Sequence, residues 1–330
     1  MEYPKLSPAP PLLAGLFWRA ITRDDLTTLV RLAEECQKVD GGLAFLNEPD
    51  NLKDRYFPDA PGAGIGAFTA DERLVACFAV HLVHASDTEI AIIVGQVQPE
   101  WRNKGIGTYL MHWSRVQAQA LFTTSGAGKR LLRIATESLT EPAIHRYHAD
   151  GFESVFEELV MQRDLRLPLP DSPLPPDMSI TTWQPPLAEQ FFKAYDAAFR
   201  DRPGFPGYSA AQWISDYNED EHFKTEWSLL ARSSAGLPVG FVTASAEQPG
   251  GYVIQVGVIP EQRRRGIASA LIVETMRRMQ AAGKSPAQLV VNVNNPGAIQ
   301  TYLALGFATV GRRARYERFA EFTQTRTLPS

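Results

Sequence analysis

Apolar and polar positions along the chain alternate in short runs, and these predict elements in a definite order. Leu16-Phe-Trp-Arg-Ala-Ile reads as a first strand. Asp24 or Asp25 can cap a helix running through Cys36. Ala67–Thr69 and Leu74–Leu82 read as a hairpin turning at Asp71-Glu72. Glu89–Val97 is an apolar strand. Gly105–Phe122 carries Ile106, Leu110, Trp113, Val116 and Ala120 at helical spacing. Leu131–Thr136 is a further strand, followed by a short helix from Glu141 or Pro142 to Ala149. Glu153–Leu165 closes the series as a strand.

The same order then returns. Ser228–Ala231 and Val239–Ala246 form a hairpin turning at Ala235-Gly236. Tyr252–Ile259 is the apolar strand, Gly266–Ala281 the long helix, Leu289–Asn294 the next strand and Pro296–Leu305 the short helix. Ala308–Phe319 ends the series. Between the two runs lies Arg166–Met178, where prolines at 168, 170, 173, 175 and 176 forbid a helix or a central strand. A stiff, extended connector is expected there. The chain is thus expected to hold an N-terminal domain at 1–165, a proline-rich linker at 166–178 and a C-terminal domain at 179–330. Each domain is of mixed α/β class with a mixed sheet.

The repeat is visible in identities as well as in pattern. Val97-Gln-Pro-Glu-Trp-Arg-Asn-Lys-Gly-Ile-Gly107 stands against Val258-Ile-Pro-Glu-Gln-Arg-Arg-Arg-Gly-Ile-Ala268 at a constant offset of 161 residues. Ala143, Tyr147, Gly151 and Phe152 match Ala298, Tyr302, Gly306 and Phe307 at an offset of 155. Units this long mark a domain duplication rather than a solenoid, whose repeats run to about 20–50 residues.

Composition narrows the class. The 330 residues fit two domains. A hydrophobic fraction of 44% fills two cores, and a net charge of −4 gives no support for a nucleic-acid binder. Cys36 and Cys77 make neither a disulfide framework nor a zinc site, and no metal is expected. No apolar run approaches the roughly 20 residues of a membrane span. The segment Met1–Pro11 lacks the charged start and apolar core of a signal peptide. The expectation is a soluble cytoplasmic protein, monomer or homodimer, with no nucleic-acid or membrane partner.

The chemistry concentrates where the apolar strand ends. There a proline bars further pairing and a basic, glycine-bearing turn opens a helix. The first N–H groups of a helix lack internal partners and carry the positive end of its dipole, so this junction suits a phosphate or pyrophosphate. Gly266 permits close approach, and Ala268, like Gly107, stays small. Neither a Walker loop nor a dinucleotide fingerprint is present.

Arg102-Asn-Lys-Gly-Ile-Gly107 and Arg263-Arg-Arg-Gly-Ile-Ala268 resemble the Q/R-x-x-G-x-G/A motif of GCN5-related N-acetyltransferases (GNATs). Asn295-Pro-Gly-Ala298-Ile-Gln-Thr-Tyr302-Leu-Ala-Leu-Gly306-Phe307 resembles that family's Asn…Ala…Tyr…Gly-Phe segment. The resemblance covers both halves and implies two tandem GNAT-type domains with splayed central strands. It implies acetyl-CoA as cofactor and a primary amine of a small molecule or peptide as acceptor. The loop residues implied to hold its pyrophosphate are Arg263, Arg264, Arg265, Gly266, Ile267, Ala268 and Ser269. In the first half they are Arg102, Asn103, Lys104, Gly105, Ile106, Gly107 and Thr108. Pantetheine is implied to pair with the strand ends Val258-Ile259 and Val97-Gln98, near Asn295 and Ala298.

The implied mechanism is direct attack of an amine on the thioester. A backbone N–H near Val258 would stabilise the oxyanion. Tyr302, a phenol with a pKa near ~10, would protonate the leaving thiolate. Asn295 caps the short helix or bonds the pantetheine arm. In the first half Tyr147 is kept but Thr140 stands where the second half has Asn295, which favours the second half as the working site. No base is evident; the candidates are Glu247, a position near Tyr252, or a water chain. His145 and His148 flank Tyr147, as a further candidate base or as exposed polar residues of the short helix. The acceptor is expected beside Phe191–Phe199, Arg202–Tyr208 and Trp213, with Asp201, Asp216, Glu219 and Asp220 available to attract a cationic amine. The alternatives are a non-catalytic acyl-CoA-binding scaffold and a transferase using another acyl donor.

Overall fold

The computed structural model describes residues 9–11, 13, 15–122, 129–201, 205 and 207–320. Its elements follow the predicted order with shifted ends. The first run is β1 (Leu16–Ala20), α1 (Leu26–Asp40), α2 (Pro49–Tyr56), β2 (Gly62–Thr69), β3 (Leu74–Ala85), β4 (Thr88–Val97), α3 (Ile106–Leu121), β5 (Lys129–Thr136), α4 (Glu141–Ala149) and β6 (Glu153–Arg163). The second is β7 (Met178–Thr182), α5 (Ala188–Phe199), α6 (Ala210–Glu219), β8 (Leu229–Ser233), β9 (Pro238–Ser245), β10 (Gly251–Val258), α7 (Ile267–Ala281), β11 (Ala287–Asn292), α8 (Pro296–Ala304) and β12 (Ala308–Phe319). Helix α2 has no counterpart in the predicted order; its eight residues are mostly polar and only Leu52 and Tyr56 are buried, too few to set a period. The predicted order also lacks β7, of which only Met178 falls within the connector, and helices α5 and α6. Residues 164–177 form neither helix nor strand, as five prolines require.

The chain does not divide at the connector. One compact unit holds residues 1–158 together with 311–330, and the other holds 159–310. The expected cut left each closing strand with its own half, whereas packing gives each closing segment to the other repeat. Within the first unit the sheet runs β1-β2-β3-β4-β5-β12, and β12 pairs antiparallel with β5 from Ala314↔Thr136 to Phe319↔Leu131. Ala314 and Tyr316, two apart on one face of β12, are buried in that unit's core with Phe152, Ile134 and Trp113. Within the second unit the order is β6-β11-β10-β9-β8-β7, and Met161 and Leu165 are buried with Leu271, Met276 and Phe307. No pattern of hydrophobic positions distinguishes a strand that stays from one that crosses, because both need the same alternation.

In each unit the parallel pair at the centre opens. β4 and β5 are in register from Thr88↔Lys129 to Ile93↔Ile134, and β4 then continues to Val97 without them. β10 meets β11 only at Gly251↔Ala287 and Tyr252↔Gln288, leaving Val253–Val258 unpaired on that side. No described helix is long and apolar enough to cross a membrane, and no described cluster of His, Cys, Asp and Glu could hold a metal ion.

The crossing strands each bring an arginine to a short helix. Arg163 on β6 is 8% exposed and donates from Nη1 to the Leu305 carbonyl and from Nη2 to Pro168, each at 2.6 Å. Leu305 is the C-terminal cap of α8. In the first unit Arg318 on β12 donates to the Asp150 carbonyl, the cap of α4, at 2.6 Å. A cation at a helix C-terminus opposes the negative end of the dipole. Gly306 has φ of +82° and Arg163 occupies the space a Cβ would take, while at Gly151 (φ +77°) Arg318 lies 3.7 Å from that position. Gly151→Ala is therefore expected to cost about 1–2 kcal/mol, the left-handed penalty alone, and Gly306→Ala clearly more. Urea unfolding of both variants checks this, and equal losses would show that the Arg163 contact is soft.

Candidate active site

The loop between strand and helix has the same backbone in both units. After a short 3-10 turn (Pro99–Trp101 or Pro260–Gln262), Asn103 and Arg264 adopt φ of +59° and +62°. Gly105 and Gly266 then take φ of +81° and +82° as the N-caps of α3 and α7. The first helical donors are Tyr109, to Gly105 O at 3.0 Å, and Ala270, to Gly266 O at 2.9 Å. The N–H groups of Ile106, Gly107 and Thr108, and of Ile267, Ala268 and Ser269, precede them and have no helical acceptor. A Cβ at Gly105, Gly107 or Gly266 would meet nothing within 4 Å. The surface at these glycines is open, which leaves room beside the unpaired amides for an anion's oxygens.

The leading arginines do a different job from the one expected. Arg102 donates from Nε to Val97 O at 2.9 Å and binds Asp40 bidentately at 2.7 and 2.6 Å. Arg263 donates from Nε to Val258 O at 3.1 Å, to Asp201 at 2.8 and 3.1 Å, and to Ala198 O at 3.0 Å. Each guanidinium ties the end of the first helix to the end of the central strand and so holds the loop in place. The carboxylate raises the pKa of each guanidinium, so the clamp is insensitive to pH in the neutral range. Arg265 is paired with Asp177 at 2.8 Å, and the Lys104 ammonium lies 4.6 Å over the Trp101 ring. Gln98 turns inward, donating to Glu35 at 3.0 Å.

The strand ends offer backbone rather than side chains. Gln98 N and Ile259 N donate to Val75 O and Val239 O on the neighbouring strands. By strand alternation the N–H groups of Val97 and Val258 point the other way, into the opened gap. On the far side of the gap sits the short helix. Asn295 Oδ1 accepts from Ala298 N at 3.2 Å and Thr140 Oγ1 accepts from Ala143 N at 3.3 Å, so both residues are N-caps. No other hydrogen bond of the Asn295 side chain occurs among the described residues. Tyr302 is 7% exposed and packs on Phe307 with 6.0 Å between ring centres. Burial, with Tyr316 nearby, pushes the Tyr147 phenol up to about 12, against a bond to Thr136. It stays protonated well above neutral pH and can act as a donor.

In the first unit these parts border one cleft of about 460 Å³. Gly95, Val97, Asn103, Gly105, Gly107 and Tyr147 line it, and Asn47, Arg55 and Tyr56 come to it from α2 and the turn before it. Cys36 also borders it, but burial pushes its thiol up to about 12, so it is not a thiolate nucleophile. In the second unit the expected acceptor wall is largely core. Phe191, Tyr195, Trp213 and Tyr217 are buried together with Trp183 and Phe241. Trp213 Nε1 and Tyr217 OH both donate to Gln255 Oε1 on β10, at 3.2 and 3.1 Å. Arg202, Pro203, Gly204 and Pro206, expected on this wall, lie outside the described residues. Asp201 belongs to the clamp, and Glu247 accepts from Ser245 Oγ at 2.9 Å.

Asp40 was not singled out in the sequence, and Asp201 was expected to attract a cationic amine rather than to hold Arg263. They are 161 residues apart, the same offset as the loops they hold, so extending the repeat upstream would have found them. Arg163 and Arg318 likewise share the 155 offset of Tyr147 and Tyr302.

The sequence profile of the acetyltransferase (GNAT) family matches residues 26–152 and again 188–307. The chain belongs to this family and carries two of its domains in tandem, an N-acetyltransferase architecture. It is 31% identical over 296 residues to a mycothiol acetyltransferase of Thermobispora bispora, covering 87% of this chain and 93% of that protein. A mycothiol acetyltransferase of Acidothermus cellulolyticus is 25% identical, covering 89% and 91%. Among solved structures, a GCN5-related N-acetyltransferase from Sphaerobacter thermophilus superposes with a TM-score of 0.72 at 24% identity, covering 94% of this chain and 97% of that one. A tandem GNAT protein from the clavulanic acid biosynthesis pathway gives 0.64 at 16% identity, covering 94% and 100%. Both share the fold.

The two clamps differ in burial. The Asp40 and Arg102 side chains are 8% and 28% exposed, those of Asp201 and Arg263 50% and 41%. Asp40→Ala should cost the first unit about 2–3 kcal/mol by stranding a half-buried cation, and Asp201→Ala should cost the second under about 1 kcal/mol. Hydrogen exchange resolved by unit, in urea, measures both. A loss at Asp201 as large as at Asp40 would sink the burial argument.

Proposed function

We propose that the chain is an acetyl-CoA-dependent N-acetyltransferase that acetylates a primary amine of a small molecule or peptide, with transfer carried by the second unit. One observation carries the reading: β10 leaves β11 after Tyr252, beside a helix whose first amides have no helical acceptor and whose opening glycine is uncrowded. A free strand edge suits an amide-bearing arm and the helix start suits a diphosphate. The relatives named as mycothiol acetyltransferases support a small-molecule acceptor. The reading carries a cytoplasmic location, which fits two free, buried cysteines.

When bound, acetyl-CoA supplies an activated thioester. Val258 N–H, aimed into the gap, stabilises negative charge forming at the carbonyl oxygen. Tyr302, fixed on α8 by the Asn295 cap at one end and Arg163 at the other, delivers a proton to the departing sulfur. Asn295 Nδ2 orients the arm. In the first unit the same loop binds a second coenzyme. A second reading, that the first unit also turns over, is favoured by the cleft that gathers Tyr147, Val97 and the loop.

Two measurements test this. Calorimetry with acetyl-CoA should give two sites, falling to one in Gly266→Asp, because a carboxylate would enter the space where the diphosphate docks. Tyr302→Phe should lower kcat for thiol release at least about 100-fold. Full activity in that variant, with loss in Tyr147→Phe, would move transfer to the first unit.

A further inference from the structure

The wall that α1 and α2 give the first unit's cleft carries a cation without an anion. Five charged residues border the cleft: Asp40, Arg55, Arg102, Glu137 and Arg146. Arg102 spends both terminal nitrogens on Asp40, and Glu137 lies 3.5 Å from Arg313. Arg146 also borders the cleft without an ion pair among the described residues, but from α4, next to Tyr147. Arg55 is half-buried on α2, joins no ion pair among the described residues, and its one hydrogen bond is a 3.5 Å contact to the Leu46 carbonyl. A guanidinium bordering a cleft without a counter-charge is poised for a bidentate anion, carboxylate or phosphate.

The repeat supplies an independent comparison. The offset of 161 that aligns the loops also aligns the buried Leu52 and Tyr56 of α2 with Trp213 and Tyr217 of α6. Arg55 then corresponds to Asp216, an exposed residue of α6 that accepts from Gln212, so the charge is inverted at that position. On the first helix the register moves by one, and burial aligns Leu29, Leu32, Ala33 and Cys36 with Phe191, Ala194, Tyr195 and Ala198 at an offset of 162. Ala33 borders the cleft, whereas Tyr195 stacks on Trp213 at 5.0 Å. The first unit therefore keeps room, and a cation, at positions where the second has a ring and a carboxylate.

We propose that the first unit is a second acceptor site, for an amine that also bears an anionic group, and that Arg55 reads that group. The proposal rests on the reading that the cleft takes the coenzyme's arm beside Tyr147. Amide-bond formation there is the ordinary one: the amine nitrogen bonds the acetyl carbon and gives up one proton to water, the carbon–sulfur bond breaks, and the sulfur takes a proton from Tyr147 and leaves as the thiol.

The test uses the full chain carrying Gly266→Asp, so that only the first unit can bind acetyl-CoA. Thiol release is measured with two matched pairs: β-alanine against its methyl ester, and phosphoethanolamine against 2-methoxyethylamine. The anionic amine of at least one pair should show at least tenfold higher kcat/KM, and the responding pair identifies carboxylate or phosphate. Arg55→Gln should bring that ratio to within twofold of one, with Arg55→Lys between. Titration of the preferred anionic amine onto CoA-saturated protein should give heat that Arg55→Gln loses. Circular dichroism and acetyl-CoA affinity report whether each Arg55 variant is folded. Equal use of both members of each pair, turnover of neither anionic amine, or a preference that survives Arg55→Gln would each overturn the proposal. If the Gly266→Asp protein binds no acetyl-CoA at all, the coenzyme reading of the first unit has failed as well; if it binds one equivalent, only the anion proposal is at stake.

Discussion

A strand that abandons its neighbour partway along leaves N–H and C=O groups unpaired, and a protein interior penalises such groups by about 1–3 kcal/mol each. The rest of this structure depends on holding that gap open. Left alone, β4 and β10 would gain by continuing their ladders with β5 and β11. Proline at 99 and 260 stops the strand, and the arginine three residues on fastens its last carbonyl to a carboxylate at the end of the first helix. The motif arginine is thus a structural tie. Its value to a coenzyme is indirect, in fixing loop amides that would otherwise relax toward other partners. Preorganised donors of this kind incur no reorganisation when charge arrives.

A second tie acts at the opposite wall of the gap. The short helix that carries Tyr147 or Tyr302 is only nine residues long, too short to be stable alone. Thr140 or Asn295 satisfies its first turn and an arginine from the closing strand satisfies its last. That arginine comes from the other repeat in sequence. Each tyrosine helix therefore depends on a segment encoded half a chain away, which couples the integrity of one site to both copies of the duplication.

Much of this was legible in the sequence, and for physical reasons. Strand, loop and helix of the coenzyme junction declare themselves because proline, glycine and periodic apolar residues each act locally. The duplicated loop raised a weak motif to a strong one. The exchange of β6 and β12 was illegible, because alternation specifies which face of a strand is buried and not which sheet receives it. Helix α2 was illegible because two buried residues define no period. The aromatic wall around Trp213 was read as a pocket lining when most of it is core, since a ring that fills space and a ring that borders it have the same letter. The pairing of Asp40 and Asp201 with the loop arginines was hidden by distance in sequence, although their shared offset was available.

Duplication followed by divergence leaves a readable difference between equivalent positions. Where both copies agree, at the clamp, the cap and the left-handed glycine, the constraint is a backbone geometry that the two units share. Where they disagree, at Ala33 against Tyr195 and Arg55 against Asp216, the backbone is indifferent and the side chain alone is changed. Both differences fall on the first two helices of each unit, and in the first unit Ala33 and Arg55 border the cleft. A guanidinium bordering the first unit's cleft would reject a cationic acceptor by like-charge repulsion and by an uncompensated desolvation, which separates its acceptors from those a carboxylate would attract.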